Sequence, residues 1–268
     1  RENYFSFTRK LSEILYTLDM SLVETKDHSN STKAVIILIA GIVLYLLAFS
    51  LWWQGQIDSR IVVAHNFVYM NDTVFHASKW VTDNGIPIIL IVYIMILITW
   101  FRSNDPEIQR LGPFFLLVII TILIGGTSCS LLKDVFQRAR PVAELGDQIL
   151  LRSNSLTRSF PSGHTSESMS LALPWVIFAV SRSRWILASR LFIGIAALMV
   201  SYSRLMLQRH YPADILAGIG TALIFLFATC FLSQWLIRKF SITGTRLIVV
   251  NRVVLFLRVG LLVRYLFA

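Results

Sequence analysis

Charged residues are scarce in this chain. Asp, Glu, Lys and Arg make up 15% of its 268 residues, against about 25% in ordinary soluble domains. With 55% hydrophobic residues and a mean hydropathy of +0.65, the composition excludes a conventional soluble enzyme and points to an integral membrane protein. Cysteine is nearly absent. Cys129 and Cys230 both lie in apolar runs, which excludes a disulfide framework and a thiolate metal cluster. Acidic residues are few and scattered, 15 against 25 Lys and Arg, a poor supply for a carboxylate-bound divalent cation. No cleavable signal peptide is expected, because the first apolar stretch starts only near Ala34 and runs too long. The net charge of +10 would suggest nucleic acid in a soluble protein. Here the cations flank apolar stretches, so anionic lipid headgroups are the expected partner, and nucleic acid is not.

What the chain has is long apolar runs. The spacing predicts an all-α, polytopic membrane protein with six transmembrane helices and an N-terminal interfacial helix. Tyr4, Phe7, Leu11, Leu15, Leu18 and Leu22 recur at helical spacing, so residues 1–33 read as an amphipathic segment on the membrane surface. A helix packed on a soluble partner ranks second. The six-helix domain covers 34–237, with spans at about 34–53, 86–101, 112–132, 164–180, 185–202 and 213–237. Gly125-Gly126 allows close helix contact in the third span. The connection 54–85 carries Phe67, Tyr69, Phe75 and Trp80 and reads as short interfacial helices. They either wall a lipid-binding cleft or anchor the chain in the membrane surface. Residues 238–268 read as a basic, apolar tail at the membrane surface. Arg246, Arg252, Arg258 and Arg264 fall six apart and so share no helix face. Six spans put both termini on one side, where most Lys and Arg also fall, so both are expected in the cytoplasm. A bacterial inner membrane is the expected location.

Three polar islands then share the outer side, each at the end of an apolar run. The first runs from Lys133 through Arg138 to Arg140-Pro141, and the second is Pro161-Ser162-Gly163-His164. The third holds Ser203-Arg204, His210 and Asp214. Taken singly, each has an ordinary explanation. The cations are snorkelling side chains, Pro161-Ser162-Gly163 is a turn and cap, His164 is structural, and Asp214 complements a helix start. Taken together, they suit phosphate-ester cleavage by histidine. Ser162 and Gly163 precede a helix start that favours an anion. Arg140 and Arg204 can grip phosphate oxygens and Lys133 adds a compact charge. His210 and Asp214 lie four apart, so the carboxylate can hold one ring nitrogen while the other attacks phosphorus. His164 can protonate the leaving oxygen. This residue reading does not by itself exclude a metal.

The spacings Lys-x6-Arg-Pro, Pro-Ser-Gly-His and Ser-Arg-x5-His-x3-Asp resemble the three-part signature of the type-2 phosphatidic acid phosphatase superfamily. Lys133, Arg140 and Pro141, then Pro161 to His164, then Ser203, Arg204, His210 and Asp214 match it in order. The resemblance covers residues 133 to 214, and the six-span plan extends it to about 237. It implies a lipid phosphatase that needs neither metal nor cofactor. It implies His210 as the phosphorylated nucleophile, His164 as general acid, Asp214 as orienter, and Lys133, Arg140, Ser162, Gly163 and Arg204 as phosphate ligands. Substrates in that family include phosphatidic acid, phosphatidylglycerol phosphate, polyprenyl phosphates and pyrophosphates, lipid A and sphingoid phosphates. Phosphotransfer to a lipid hydroxyl is the alternative within the same chemistry. A transporter or receptor for lipid phosphates is the alternative from another class, disfavoured because the ionisable groups sit at span ends.

Overall fold

A computed structural model describes residues 28–64, 71–141, 157–179, 183–242 and 244–267. The expected N-terminal amphipathic helix lies outside these residues. Nine helices form among the described residues. They are α1 (His28–Gln54), α2 (Gln56–Ala64), α3 (Asp72–Arg102), α4 (Pro106–Gln109), α5 (Gly112–Phe136), α6 (Gly163–Phe178), α7 (Arg184–Met206), α8 (Pro212–Lys239) and α9 (Gly244–Phe267).

Five segments are long and apolar enough to cross a membrane: Ala34–Gln54, Asp72–Arg102, Pro106–Phe136, Arg184–Met206 and Pro212–Lys239. The all-α, polytopic expectation therefore holds. The fourth expected span is α6, whose 16 residues rise only about 24 Å. It sits amid the bundle against α5, α7 and α8. Its ring N–H at Trp175 donates to Ser189 Oγ on α7 at 3.1 Å. Its carbonyl at Leu171 accepts from Tyr93 of α3 at 2.7 Å. Arg190 of α7 donates to the Val176 carbonyl at the end of α6.

Helix packing in lipid depends on small residues that let backbones approach. Gly41 of α1 and Gly220 of α8 face each other so closely that a Cβ on Gly220 would lie 2.9 Å from the Gly41 carbonyl oxygen. A Cβ on Gly125 would meet Ser170 Oγ of α6 at 2.5 Å, as the glycine pair in that span leads one to expect. The second expected span starts earlier than its apolar run. Its polar first half belongs to α3, capped by Asn71, which accepts from the Val74 amide at 3.1 Å. Within that half, a Cβ on Gly85 would collide with Val200 of α7 at 2.2 Å. The connection 54–85 thus contributes α2 and the start of α3. Trp80 and His76 are exposed there, which fits the anchoring alternative. His65, Phe67 and Tyr69 lie outside the described residues.

The expected surface tail is where the structure differs most. Residues 244–267 form a 24-residue helix, α9, packed on α3 and α5. It runs parallel to α5. Leu247 closes on Gly112 at the start of α5, and Asn251 donates to the Gly112 carbonyl at 3.3 Å. Farther along, Tyr265 hydrogen-bonds Glu167 of α6, beside Gly126 of α5. The arginine periodicity concealed this helix because one arginine is internal. Arg258 is fully buried, its guanidinium 4.6 Å from the Tyr93 ring centre and 5.4 Å from that of Phe115. α9 ends toward the end of the bundle that gathers the three islands, whereas α1 begins at the other end.

Candidate active site

Helix α5 stops at Gln137, which adopts a left-handed conformation with φ 43° and returns its amide to the Lys133 carbonyl at 3.0 Å. The chain that leaves it, Arg138 to Arg140, runs beneath the starts of α6 and α8. The Arg138 carbonyl accepts from the Ser159 amide at 2.9 Å. The Ser162 amide donates to the Asp214 carbonyl at 2.9 Å. These two backbone bonds tie the first island to the segment before the second, and the second to the third.

Asp214 sits at the third position of α8 and is fully buried. Its Oδ2 accepts from the Tyr211 amide at 2.8 Å and from Ser159 Oγ at 2.5 Å. Its Oδ1 accepts from Arg138 Nη1 at 2.8 Å. The carboxylate thus closes the first turn of its own helix, and it also faces His210, with Oδ2 3.5 Å from Nδ1. The Ser159 hydroxyl lies 3.4 Å from the same nitrogen, and the Ser159 backbone also bonds the ring. The Asp214 carboxylate and the Ser159 hydroxyl therefore flank Nδ1, and this network assigns Nε2 as the free nitrogen. His210 is buried. Burial, followed by the cations Arg204, Arg140 and Lys133, pushes its pKa well below the usual histidine range, and the Ser159 backbone bond works the other way. The ring is therefore neutral at neutral pH.

The expected phosphate ligands gather around it. The first bond inside α6 runs from the Ser166 amide to the Ser162 carbonyl. The amides of Gly163, His164 and Thr165 thus precede the helical ladder. The Ser162 amide, expected to face an anion, is instead committed to the Asp214 carbonyl, and its Oγ accepts from Thr165 Oγ1 at 3.0 Å. Arg140 and Arg204 each keep a buried Nε–H without an acceptor among the described residues. Burial and the Arg209 cation lower the Arg140 pKa, with Asp214 opposing. His164 lies among Arg204, His210, Lys133 and Arg140, and burial, followed by these charges, pushes its pKa well below the usual histidine range. Arg158 pairs with Asp134 at 2.9 Å on the exposed rim.

Gly163 has a specific reason to lack a side chain. A Cβ there would lie 2.8 Å from Lys133 Nζ. The ammonium is the end of a flexible chain, so Gly163→Ala is expected to displace it and leave the fold intact. Losing one charge-assisted contact should lower kcat/KM about 10- to 100-fold, with an unchanged melting temperature. Steady-state kinetics and thermal unfolding in detergent test this; wild-type kinetics would show that Lys133 does not need that space.

Three residues of this network are not legible in the sequence. Ser159 precedes Pro161 by two positions and carries no signal of its own. Arg138 looked like a snorkelling cation, but it is buried, with its guanidinium 4.0 Å from the Tyr211 ring centre. Asp58, on α2, is fully buried. It accepts from Arg138 Nη2 at 2.7 Å and from the Ala213 amide at 3.0 Å.

The model of the PAP2 superfamily, the type-2 phosphatidic acid phosphatases, matches residues 113–255. That is more than half of the chain, and it contains all three islands. The chain belongs to the PAP2 superfamily. No curated protein matches it in sequence. Among solved structures it is similar to a transmembrane PAP2-type phosphatidylglycerolphosphate phosphatase from Bacillus subtilis. Identity is 19% and the TM-score 0.53, over 77% of this chain and 96% of that one, a likeness of fold. The PAP2 match runs from the start of α5 into α9, so α1, α2 and Asp58 lie outside it.

Proposed function

We propose that this PAP2 protein hydrolyses a phosphate or pyrophosphate ester of a membrane lipid through a phosphohistidine on His210. The observation that carries the reading is a buried histidine among Lys133, Arg140 and Arg204, two of which hold N–H groups with no acceptor among the described residues. A phosphate dianion satisfies those donors and relieves the repulsion between the cations. In the first step the His210 Nε2 lone pair forms a bond to phosphorus as the bond from phosphorus to the lipid oxygen breaks. The leaving oxygen takes its proton from His164, whose charged form the bound dianion favours by offsetting the cations around it. In the second, water attacks the phosphohistidine, His164 takes the water proton, the P–N bond breaks and inorganic phosphate leaves. The cations offset the charge that builds on the equatorial oxygens.

The cations occupy the role that a divalent metal has in other phosphoryl transfers. Detergent-solubilised protein is therefore expected to release inorganic phosphate from at least one lipid phosphate at the same rate in excess EDTA. A panel of monophosphate and pyrophosphate lipids tests both points. Loss in chelator with recovery on adding Mg²⁺ would contradict the metal-free reading, and no release from any lipid would favour a carrier.

The same reading puts the site outside a bacterial inner membrane. Arg238, Lys239 and Arg246 cluster at the end of the bundle away from the site, which supports a cytoplasmic position for that end. An impermeant thiol reagent is expected to label an Asp134→Cys variant in intact cells, since position 134 lies on the exposed rim. Labelling only after lysis would reverse the orientation.

A further inference from the structure

The corner between α1 and α2 lies outside the matched family region, yet it reaches the centre of the site. Gly55, with φ +63°, turns the chain out of α1. The turn is closed by its amide, bonded to the Leu51 and Trp52 carbonyls at 3.1 Å. It sends α2 back over the end of α7 and the start of α8, where Val62 packs with Leu205, Met206 and Tyr211. Asp58 is thereby carried inward. One oxygen accepts from the Ala213 amide in the first turn of α8, and the other accepts from Arg138. Arg138 is held at the same time by its stacking on Tyr211 and by Trp52, 5.4 Å away at the end of α1. A planar guanidinium can bridge two carboxylates only while both arms are held. With one arm on Asp58, the other presents a single N–H to Asp214 Oδ1. That leaves Asp214 Oδ2 to Ser159, the Tyr211 amide and His210.

We propose that Asp58 is a positioning residue for the phosphoryl-transfer reaction, acting through Arg138 and the first turn of α8 to hold Asp214 and the His210 ring in attacking geometry. The inference rests on the proposed role of His210. Burial raises the Asp58 pKa, and the Ala213 amide and Arg138 oppose that rise. Without the Asp58 carboxylate, Arg138 can turn both arms onto Asp214 and draw Oδ2 away from Ser159 and Tyr211. Asp58 bonds the Ala213 amide and Arg138, neither of which is among the phosphate ligands.

The test is steady-state kinetics on Asp58→Asn and Arg138→Lys, each alone and combined with Asp214→Asn, with Ser59→Ala on the exposed face of α2 as control. Lysine keeps the charge but lacks the planar fork that spans the two carboxylates. Supporting groups of this kind typically carry about 10- to 100-fold effects. Each single variant should lose that much kcat with KM within about threefold, and Ser59→Ala should match wild type. On the Asp214→Asn background, Asp58→Asn should cost less than about threefold more, because the chain through which it acts is already cut. Wild-type kcat in Asp58→Asn would overturn the proposal, as would a full multiplicative loss on the Asp214→Asn background. If Asp58→Asn does not fold, Arg138→Lys decides. If neither folds, the clamp serves folding and the proposal fails. Absence of phosphatase activity in the wild type would instead refute the function on which the proposal rests.

Discussion

Replacing His210 with alanine is expected to abolish turnover, a loss on the order of 10⁵–10⁶ by comparison with other covalent catalysts stripped of a nucleophile or its base. His164→Ala should behave differently. A lipid alkoxide is a poor leaving group and needs a proton, so loss of the acid should cost roughly 10²–10⁴. An aryl phosphate or a pyrophosphate leaves with little protonation, so the same variant should retain most of its rate of phosphoenzyme formation on such substrates. The pH dependence follows from the charges around His210. Arg204 on α7, Arg140 and Lys133 around the end of α5, and His164 on α6 face the ring, with Asp214 on α8. Burial and the cations favour the neutral ring, so it stays competent as pH falls. The acid limb of kcat/KM should therefore lie below the ordinary histidine value of about 6.5. A limb at or above that value would mean that the ring is not held neutral by these groups.

Asp214→Asn should cost on the order of 10²–10⁴ in kcat, as in other base–orienter pairs. The carboxylate accepts from Arg138, Ser159 and the Tyr211 amide. An asparagine offers one acceptor oxygen and turns an N–H₂ toward donors. The variant should therefore also lose stability, about 1–3 kcal/mol for a buried donor left unpaired, because Asp214 closes the first turn of α8 as well as facing His210. Comparing kcat with thermal unfolding in detergent separates the two contributions. A variant as unstable as expected but with wild-type kcat would reduce Asp214 to a helix cap.

The contrast between Asp214 and Asp58 shows what the sequence carries. Asp214 was legible because it stands four residues from His210 at the start of an apolar run, a spacing with a physical meaning on a helix. Asp58 meets Arg138 across 80 residues, and a lone acid in an aromatic, interfacial stretch has no local partner to signal its burial. Ser159 was invisible for the same reason. The membrane architecture was legible wherever an apolar run filled a span. It was misread where polar residues are internal to the bundle: the first half of α3, joined to α7 by a Thr82–Ser203 hydroxyl bond of 2.5 Å, and α9, whose Arg258 is enclosed by Tyr93 and Phe115. In these places the polarity is satisfied by neighbouring helices, which a single segment read alone does not reveal.

The covalent intermediate is the centre of the account, and trapping it is the most direct test. Protein mixed with a ³²P-labelled aryl phosphate or lipid pyrophosphate, quenched within milliseconds, should carry label that is stable in base and labile in acid. Wild type and His164→Ala should both acquire it, with the label mapping to the peptide that contains His210, and His210→Ala should acquire none. Label retained on His210→Ala, or turnover in wild type with no trappable phosphoenzyme, would contradict the assignment of His210 as the nucleophile.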